Sequence, residues 1–252
     1  GNHGMAVAYV AKKLGIEAVV CLSNRVPKAK VDSLKRLGAK IEICGDSQDA
    51  AGERCYELER MEGLTVIQPF DDPHVIAGQG TIGLEILEEL PNVTDVIVPL
   101  SGGGLLSGIG LALKSNDRGI RVSGVCMEKS AVMYESLKEG KPVLLEESET
   151  LADSLLGGIG LDNSYTFRMV QGYMDNAYLI PEEEIAYTMA FMIDKHRMIM
   201  EGAAATGVAA VLGGKIPRQE GDVAVIISGQ NVDLSVIHRI LQDYAISNEE
   251  NE

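Results

Sequence analysis

Residues 95–114 read DVIVPLSGGGLLSGIGLALK: an apolar run, three consecutive glycines, then small and aliphatic residues. The first part predicts a buried strand (DVIVPL, 95–100) and the last a helix (105–114), with bare backbone at their junction. Strands of continuous apolar character followed by helices belong to parallel sheets covered on both faces. A helix N-terminus carries unpaired N–H groups and about half a positive charge. Glycines let an anion reach those groups with no Cβ in the way. Three readings of the junction follow: a phosphate site, a turn without ligand, or close packing of a helix on a sheet.

The same alternation runs along the chain. Apolar residues from Met5 to Leu14 predict a buried helix stopped by Gly15, and EAVVCLS (17–23) a strand. Pro27 opens a helix to Leu37, with Gly38 as its stop, and KIEIC (40–44) is a strand. A helix over 47–63 takes Ser47 as its N-cap, and TVIQPF (65–70) is a further strand. Beyond it the pattern gives a helix over 75–90, the strand 95–100, the helix 105–114, a strand at 121–127 and a helix at 131–139. Residues 141–162 read as irregular. Helices at 163–174 and 182–199 flank AYLI (177–180), and a small-residue helix covers 202–213. A buried strand DVAVIIS (222–228) and a helix over 232–243 complete the alternation, and the polar tail SNEENE (247–252) is expected to fray. The expected class is α/β, with two open, mostly parallel sheets. Residues 1–70 form part of a small domain and 71–252 part of a larger one.

A formal net charge of −15 argues against a nucleic-acid partner. Apolar runs fall far short of the roughly 20 residues that span a bilayer, so no membrane association is expected. Cys21, Cys44, Cys55 and Cys126 form no CxxC pair and read as buried, reduced thiols of a cytoplasmic protein. The four histidines sit at no ligand spacing, so no metal site is expected.

Three stretches have the form of a ligand loop at a strand end or helix start: Gly1–Gly4, Ser101–Gly104, and Ser228 to Asn231. No lysine follows in a P-loop arrangement. Gly102 and Gly104 follow a strand and Glu128 lies past the next one, which imitates a dinucleotide fingerprint, although Ser107 replaces its third glycine. A nicotinamide-dependent oxidoreductase is therefore an alternative on these residues.

Taken together, GNHGMAVAYVAKKLG (1–15), VPKAKVDSLKRLGA (26–39), PFDDPHVIAGQGTIGLEIL (69–87), PLSGGGLLSGI (99–109), EGAAATGVAAVL (201–212) and SGQNVD (228–233) resemble the fold-type II pyridoxal-phosphate enzymes. The resemblance is to their threonine/serine dehydratase group, with a tryptophan-synthase-β-like fold. TLADSLLGGIGLDNSYTFRMV (150–170) is similar to dehydratases of hydroxyectoine utilisation. The resemblance implies pyridoxal 5'-phosphate as cofactor, a small amino-acid substrate and a homo-oligomer. It also implies elimination of a β-hydroxy amino acid to a 2-oxo acid and ammonia, with racemisation as the alternative on the same scaffold.

It assigns residues as well. Asn2 faces the phenolic oxygen of the cofactor. Ser101, Gly102, Gly103, Gly104 and Leu105 form the phosphate loop, where Ser101 departs from the usual glycine and either adds a hydroxyl contact or crowds the phosphate. Ser228 faces the pyridine nitrogen. A hydroxyl donates weakly there, which makes the ring a milder electron sink than an aspartate would. Glu201 and Asp153 fall near the site. Glu128 matches a cation-binding carboxylate, but Met133 and Tyr134 stand where its partner acid belongs, so it reads as a surface glutamate. The family's Schiff-base lysine precedes the GNHG stretch, and no motif of that kind occurs in the chain. Lys28 and Lys30 read as solvated. With a start at Gly1 in place of methionine, the expectation is a fragment lacking its N-terminal portion.

Overall fold

The structure, a computed structural model, describes residues 1–26, 28–217 and 220–249. The expected helix start at Pro27 and the tail residues 250–252 lie outside them. The chain forms two compact units, Gly1–Pro69 and Phe70–Glu252.

The first unit carries α1 (Asn2–Leu14), β1 (Val19–Leu22), α2 (Lys28–Leu37), β2 (Lys40–Ile43) and α3 (Gln48–Glu62). β1 and β2 pair in parallel, from Val19 opposite Lys40 to Leu22 opposite Ile43. Ala8, Val20, Leu22 and Leu34 form the buried core. Gly4 is bare because α1 lies tight on β1: a Cβ there would sit 2.6 Å from Val20 Cγ1. Ser47 caps α3 as expected, accepting from the Ala50 amide at 3.1 Å.

Four expectations fail in this unit. α1 is not a buried helix: of its residues only Ala8 and Ala11 are buried, and Tyr9, Val10 and Leu14 are at least half exposed. A two-stranded sheet is too narrow to cover more than one stripe of a helix. Residues 65–70 keep an alternating burial pattern but join no ladder. Their backbone groups go elsewhere, with the Ile67 carbonyl 2.8 Å from His3 Nε2 and the Val66 amide donating to Glu59 at 3.5 Å. Lys30, expected in solvent, is 6% exposed on the inner side of α2. Cys21, Cys44 and Cys55 are half-buried, and only Cys126, in the second unit, is fully buried; all four are free thiols.

The second unit holds α4 (Pro73–Glu89), β3 (Val93–Pro99), α5 (Gly104–Asn116), β4 (Arg121–Met127) and α6 (Val132–Glu139), then a 3-10 turn at Asp153–Leu155. It continues with α7 (Thr166–Tyr173), β5 (Asn176–Ile180), α8 (Glu182–His196), α9 (Gly202–Leu212), β6 (Asp222–Val225) and α10 (Leu234–Glu249). The strands form one parallel sheet in the order β5-β4-β3-β6. β3 and β4 are central and almost wholly buried. α4 and α5 touch through glycine: a Cβ on Gly108 would meet the Ile76 carbonyl at 2.3 Å. α9, rich in alanine and glycine, lies flat on the sheet, with Gly207 against Val225 and Ile97.

Boundaries differ in places. β6 ends at Val225, short of Ser228, and is an exposed edge strand because β3 alone flanks it. α8 stops at His196, where Arg197 turns left-handed at φ 59°. α10 runs on through residues 247–249, which were expected to fray.

Candidate active site

Because the sheet is parallel, the carboxyl ends of β3 and β6 open on one edge, where ligands of such sheets bind. The two strands stay paired to that edge, the Ile226 amide donating to the Ile97 carbonyl at 2.9 Å. Ser101–Gly104 leaves β3 and Ser228-Gly229 leaves β6, so both loops rise from neighbouring positions. Ser228 is exposed.

The glycine turn is shaped first by packing. A Cβ on Gly102 would fall 2.3 Å from the Phe70 ring, and one on Gly104 would fall 2.9 Å from Phe70 Cα. Gly103 adopts φ 85°, ψ −5° as the N-cap of α5, in the left-handed region that favours glycine. A Cβ there would also press on Val170 and Met133. All three glycines are buried, and Leu105 is half-buried. The start of α5 has no side-chain cap. Its first amides therefore keep their donors for an acceptor other than a capping side chain. Close packing explains the bare Cα atoms, and the uncapped amides are what fit a phosphate.

A chain of contacts joins the two loops. The Ser101 hydroxyl donates to the Leu155 carbonyl at 2.9 Å. One residue back, Ser154 Oγ lies 3.3 Å from Glu201 Oε2 and 3.4 Å from Asp153 Oδ1. Glu201 is 2% exposed, and its amide donates to the Gly229 carbonyl at 3.1 Å. It stands at the N-terminus of α9, where the helix dipole favours a carboxylate. Ser101, Asp153 and Glu201 thus fall along one chain of contacts that reaches Gly229, the residue after Ser228. The Ser101 hydroxyl is committed to Leu155, a partner not foreseen for it.

Glu182 at the start of α8 holds the preceding segment, accepting from Thr150 Oγ1 at 2.8 Å and from the Leu151 amide. Gly202 admits that segment, since a Cβ there would lie 2.2 Å from the Leu151 carbonyl. Asp71 accepts from the amides of Ser164, Tyr165 and Thr166 at 2.7, 2.9 and 2.8 Å, fixing the start of α7. Neither Glu182 nor Asp71 was singled out from sequence. The partners of Asp71 lie more than ninety residues away, and no local pattern marks them.

The remaining expected residues belong to other elements. Asn2 is the first residue of α1 in the Gly1–Pro69 unit. Glu128 is exposed just past β4. No group of three or more His, Cys, Asp or Glu among the described residues is arranged to hold a metal, and no helix there is long and apolar enough to cross a membrane.

Known proteins resemble this chain over nearly its whole length. A relative from Sinorhizobium fredii, whose name carries the words threonine dehydratase, is 44% identical over 250 residues, covering 99% of this chain and 75% of that protein. The L-threonine ammonia-lyase of Thermotoga maritima is 40% identical over 241 residues, 96% of this chain, and the chain spans only 59% of its length. The structure of maize serine racemase superposes with a TM-score of 0.87 at 30% identity, over 99% of this chain and 76% of that one. The family model described as pyridoxal-phosphate dependent enzyme matches residues 1–229, which displaces the nicotinamide reading of Gly102, Gly104 and Glu128. The chain belongs to the pyridoxal-phosphate-dependent enzymes of the α/β fold-type II class.

Proposed function

We propose that the protein of which these residues form part removes water and then ammonia from a β-hydroxy amino acid, L-threonine or L-serine, giving a 2-oxo acid. The observation that carries this reading is the uncapped start of α5 beside the Ser228 loop at one sheet end, tied through Leu155, Ser154 and Glu201. Relatives named for threonine dehydration or ammonia loss support the substrate class.

When bound, pyridoxal phosphate supplies an electron sink for the pair left by the departing α-proton. The amides of Gly102 to Leu105 would hold its phosphate, and the Ser228 hydroxyl would serve as a neutral partner for its ring nitrogen. Glu201 ties the two loops through Ser154 and Gly229, Asp153 lies beside Ser154, and Ser101 braces the glycine turn through Leu155. Asn2 enters through the resemblance alone. In this reading the lysine that carries the cofactor belongs to the longer protein and not to residues 1–252. The segment 150–170 favours a narrower substrate, a hydroxyaspartate-like product of hydroxyectoine breakdown.

The test is release of 2-oxo acid by the full-length protein from a panel of L-threonine, L-serine and 3-hydroxyaspartate. Oxo acid from one of them supports the reading, and its absence from all three rejects it. Racemisation is the second reading, favoured by the superposition on serine racemase. Chiral analysis of recovered substrate separates the two: inverted amino acid without oxo acid assigns racemisation.

A further inference from the structure

The first unit holds three thiols within a small fold, and two of them face each other. Cys21 lies in β1, where its register partner on β2 is Glu42. Glu42 accepts from Arg54 Nε at 2.8 Å, and Arg54 directly precedes Cys55 on α3. That ion pair seats α3 over the β1–β2 pair at this level. Ala51 and Leu58, the buried residues of α3, lie one turn to either side of Cys55 on the same face. Cys21 and Glu42 point to the same face of the β1–β2 pair, so the ion pair of Glu42 with Arg54 brings Cys55 over Cys21, where the two thiols act on each other. A disulfide requires Cβ vectors that converge across such a contact. Cys44, just past β2, has its Sγ 3.6 Å from the carbonyl of Glu42.

We propose that Cys21 and Cys55 form a reversible redox pair that closes to a disulfide linking β1 to α3. The oxidant is a low-molecular-weight disulfide such as oxidised glutathione. The Cys55 thiol gives its proton to solvent, and the thiolate so formed attacks one glutathione sulfur and expels one glutathione thiolate, which takes up a proton. The Cys21 sulfur then attacks Cys55 of the mixed disulfide, also giving its proton to solvent, and expels the second. Two protein thiols are oxidised, and one glutathione disulfide is reduced to two thiols. The order follows from environment: burial, the contact with Cys55 and the nearby Cys44 push the Cys21 thiol up to about 12, so it carries almost no thiolate. It acts as the resolving thiol.

The experiment is oxidation of the folded full chain with oxidised glutathione, then denaturation, alkylation of the remaining thiols and peptide mapping. The expected result is loss of two of the four alkylatable thiols, a cross-linked peptide pair containing Cys21 and Cys55, and recovery of all four after dithiothreitol. Cys44→Ser retains the cross-link, whereas Cys55→Ser leaves all the remaining thiols free or glutathionylated singly. Four alkylated cysteines after oxidation would overturn the proposal. So would a cross-link mapped to Cys44, or a stable mixed disulfide on Cys55 that never resolves.

Discussion

The Glu201 carboxylate stands where a side chain on Gly229 would begin: a Cβ at 229 would lie 2.8 Å from Glu201 Oε1. The backbones of the two residues are also joined, amide of Glu201 to carbonyl of Gly229. Gly229 is therefore fixed by its neighbour and not by its own dihedrals. Gly229→Ala is expected to cost about 1–3 kcal/mol, because the buried carboxylate must move off Ser154. In a Glu201→Ala background the same change should cost much less. Urea unfolding of the four proteins of that cycle checks the coupling, and equal costs in both backgrounds would refute it.

Two glycines in helical or turn positions should respond with opposite sign. Gly102→Ala must displace the Phe70 ring and is expected to destabilise by about 1–3 kcal/mol. Gly172, inside α7, has no atom within 4 Å of a built Cβ. Gly172→Ala should stabilise by about 1 kcal/mol through helix propensity alone. Thermal and urea midpoints measure both, and a stabilised Gly102→Ala would contradict the packing account.

Asp71 holds three amides at the start of α7, with Oδ1 accepting from Tyr165 and Thr166 and Oδ2 from Ser164. Asp71→Ala is expected to lower stability by about 1–3 kcal/mol, the range for hydrogen bonds to a charged group. Asp71→Asn keeps one acceptor oxygen and should recover part of the loss. Hydrogen exchange of the amides of residues 164–166 should accelerate in Asp71→Ala. Unchanged protection there would show that Asp71 does not fix the turn.

What could be read in the sequence was whatever depends on neighbours along the chain. Residues 121–127 form β4 as expected, and α5 follows the glycine turn, because both patterns are local and strong. The shared sheet end of Ser101 and Ser228 followed from placing glycine turns at strand ends of a parallel sheet. The failures depend on partners in space. TVIQPF has the alternation of a strand, but its backbone groups are taken by His3 and Glu59. DVAVIIS reads as buried, yet β6 is an edge with one neighbour. Lys30 sits among charged residues in sequence and inside the unit in space. The link from Ser101 to Gly229 passes through residues 101, 154–155, 201 and 229, a path that only the folded chain displays.

Asp95, on the buried β3, gives a prediction about pH. Arg121 donates to it from Nε at 2.7 Å and from Nη2 at 2.8 Å, and Thr94 Oγ1 donates at 2.8 Å. The Arg121 hydrogen bonds outweigh burial and hold the carboxyl below its ordinary value of 3.8. A carboxyl depressed in the fold binds fewer protons there than in the unfolded chain, so stability rises with pH across the interval between the two values. Its contribution is fully present above about pH 3.8 and is lost as pH falls through the lower, folded value. Asp95→Asn removes the charge but keeps one acceptor, and should cost about 1–3 kcal/mol at neutral pH. Urea unfolding of both proteins from neutral pH downward is the measurement. The gap between them should stay constant to about pH 4 and narrow below it. A gap that widens on acidification would mean that the folded state, and not the unfolded chain, holds the Asp95 proton more tightly.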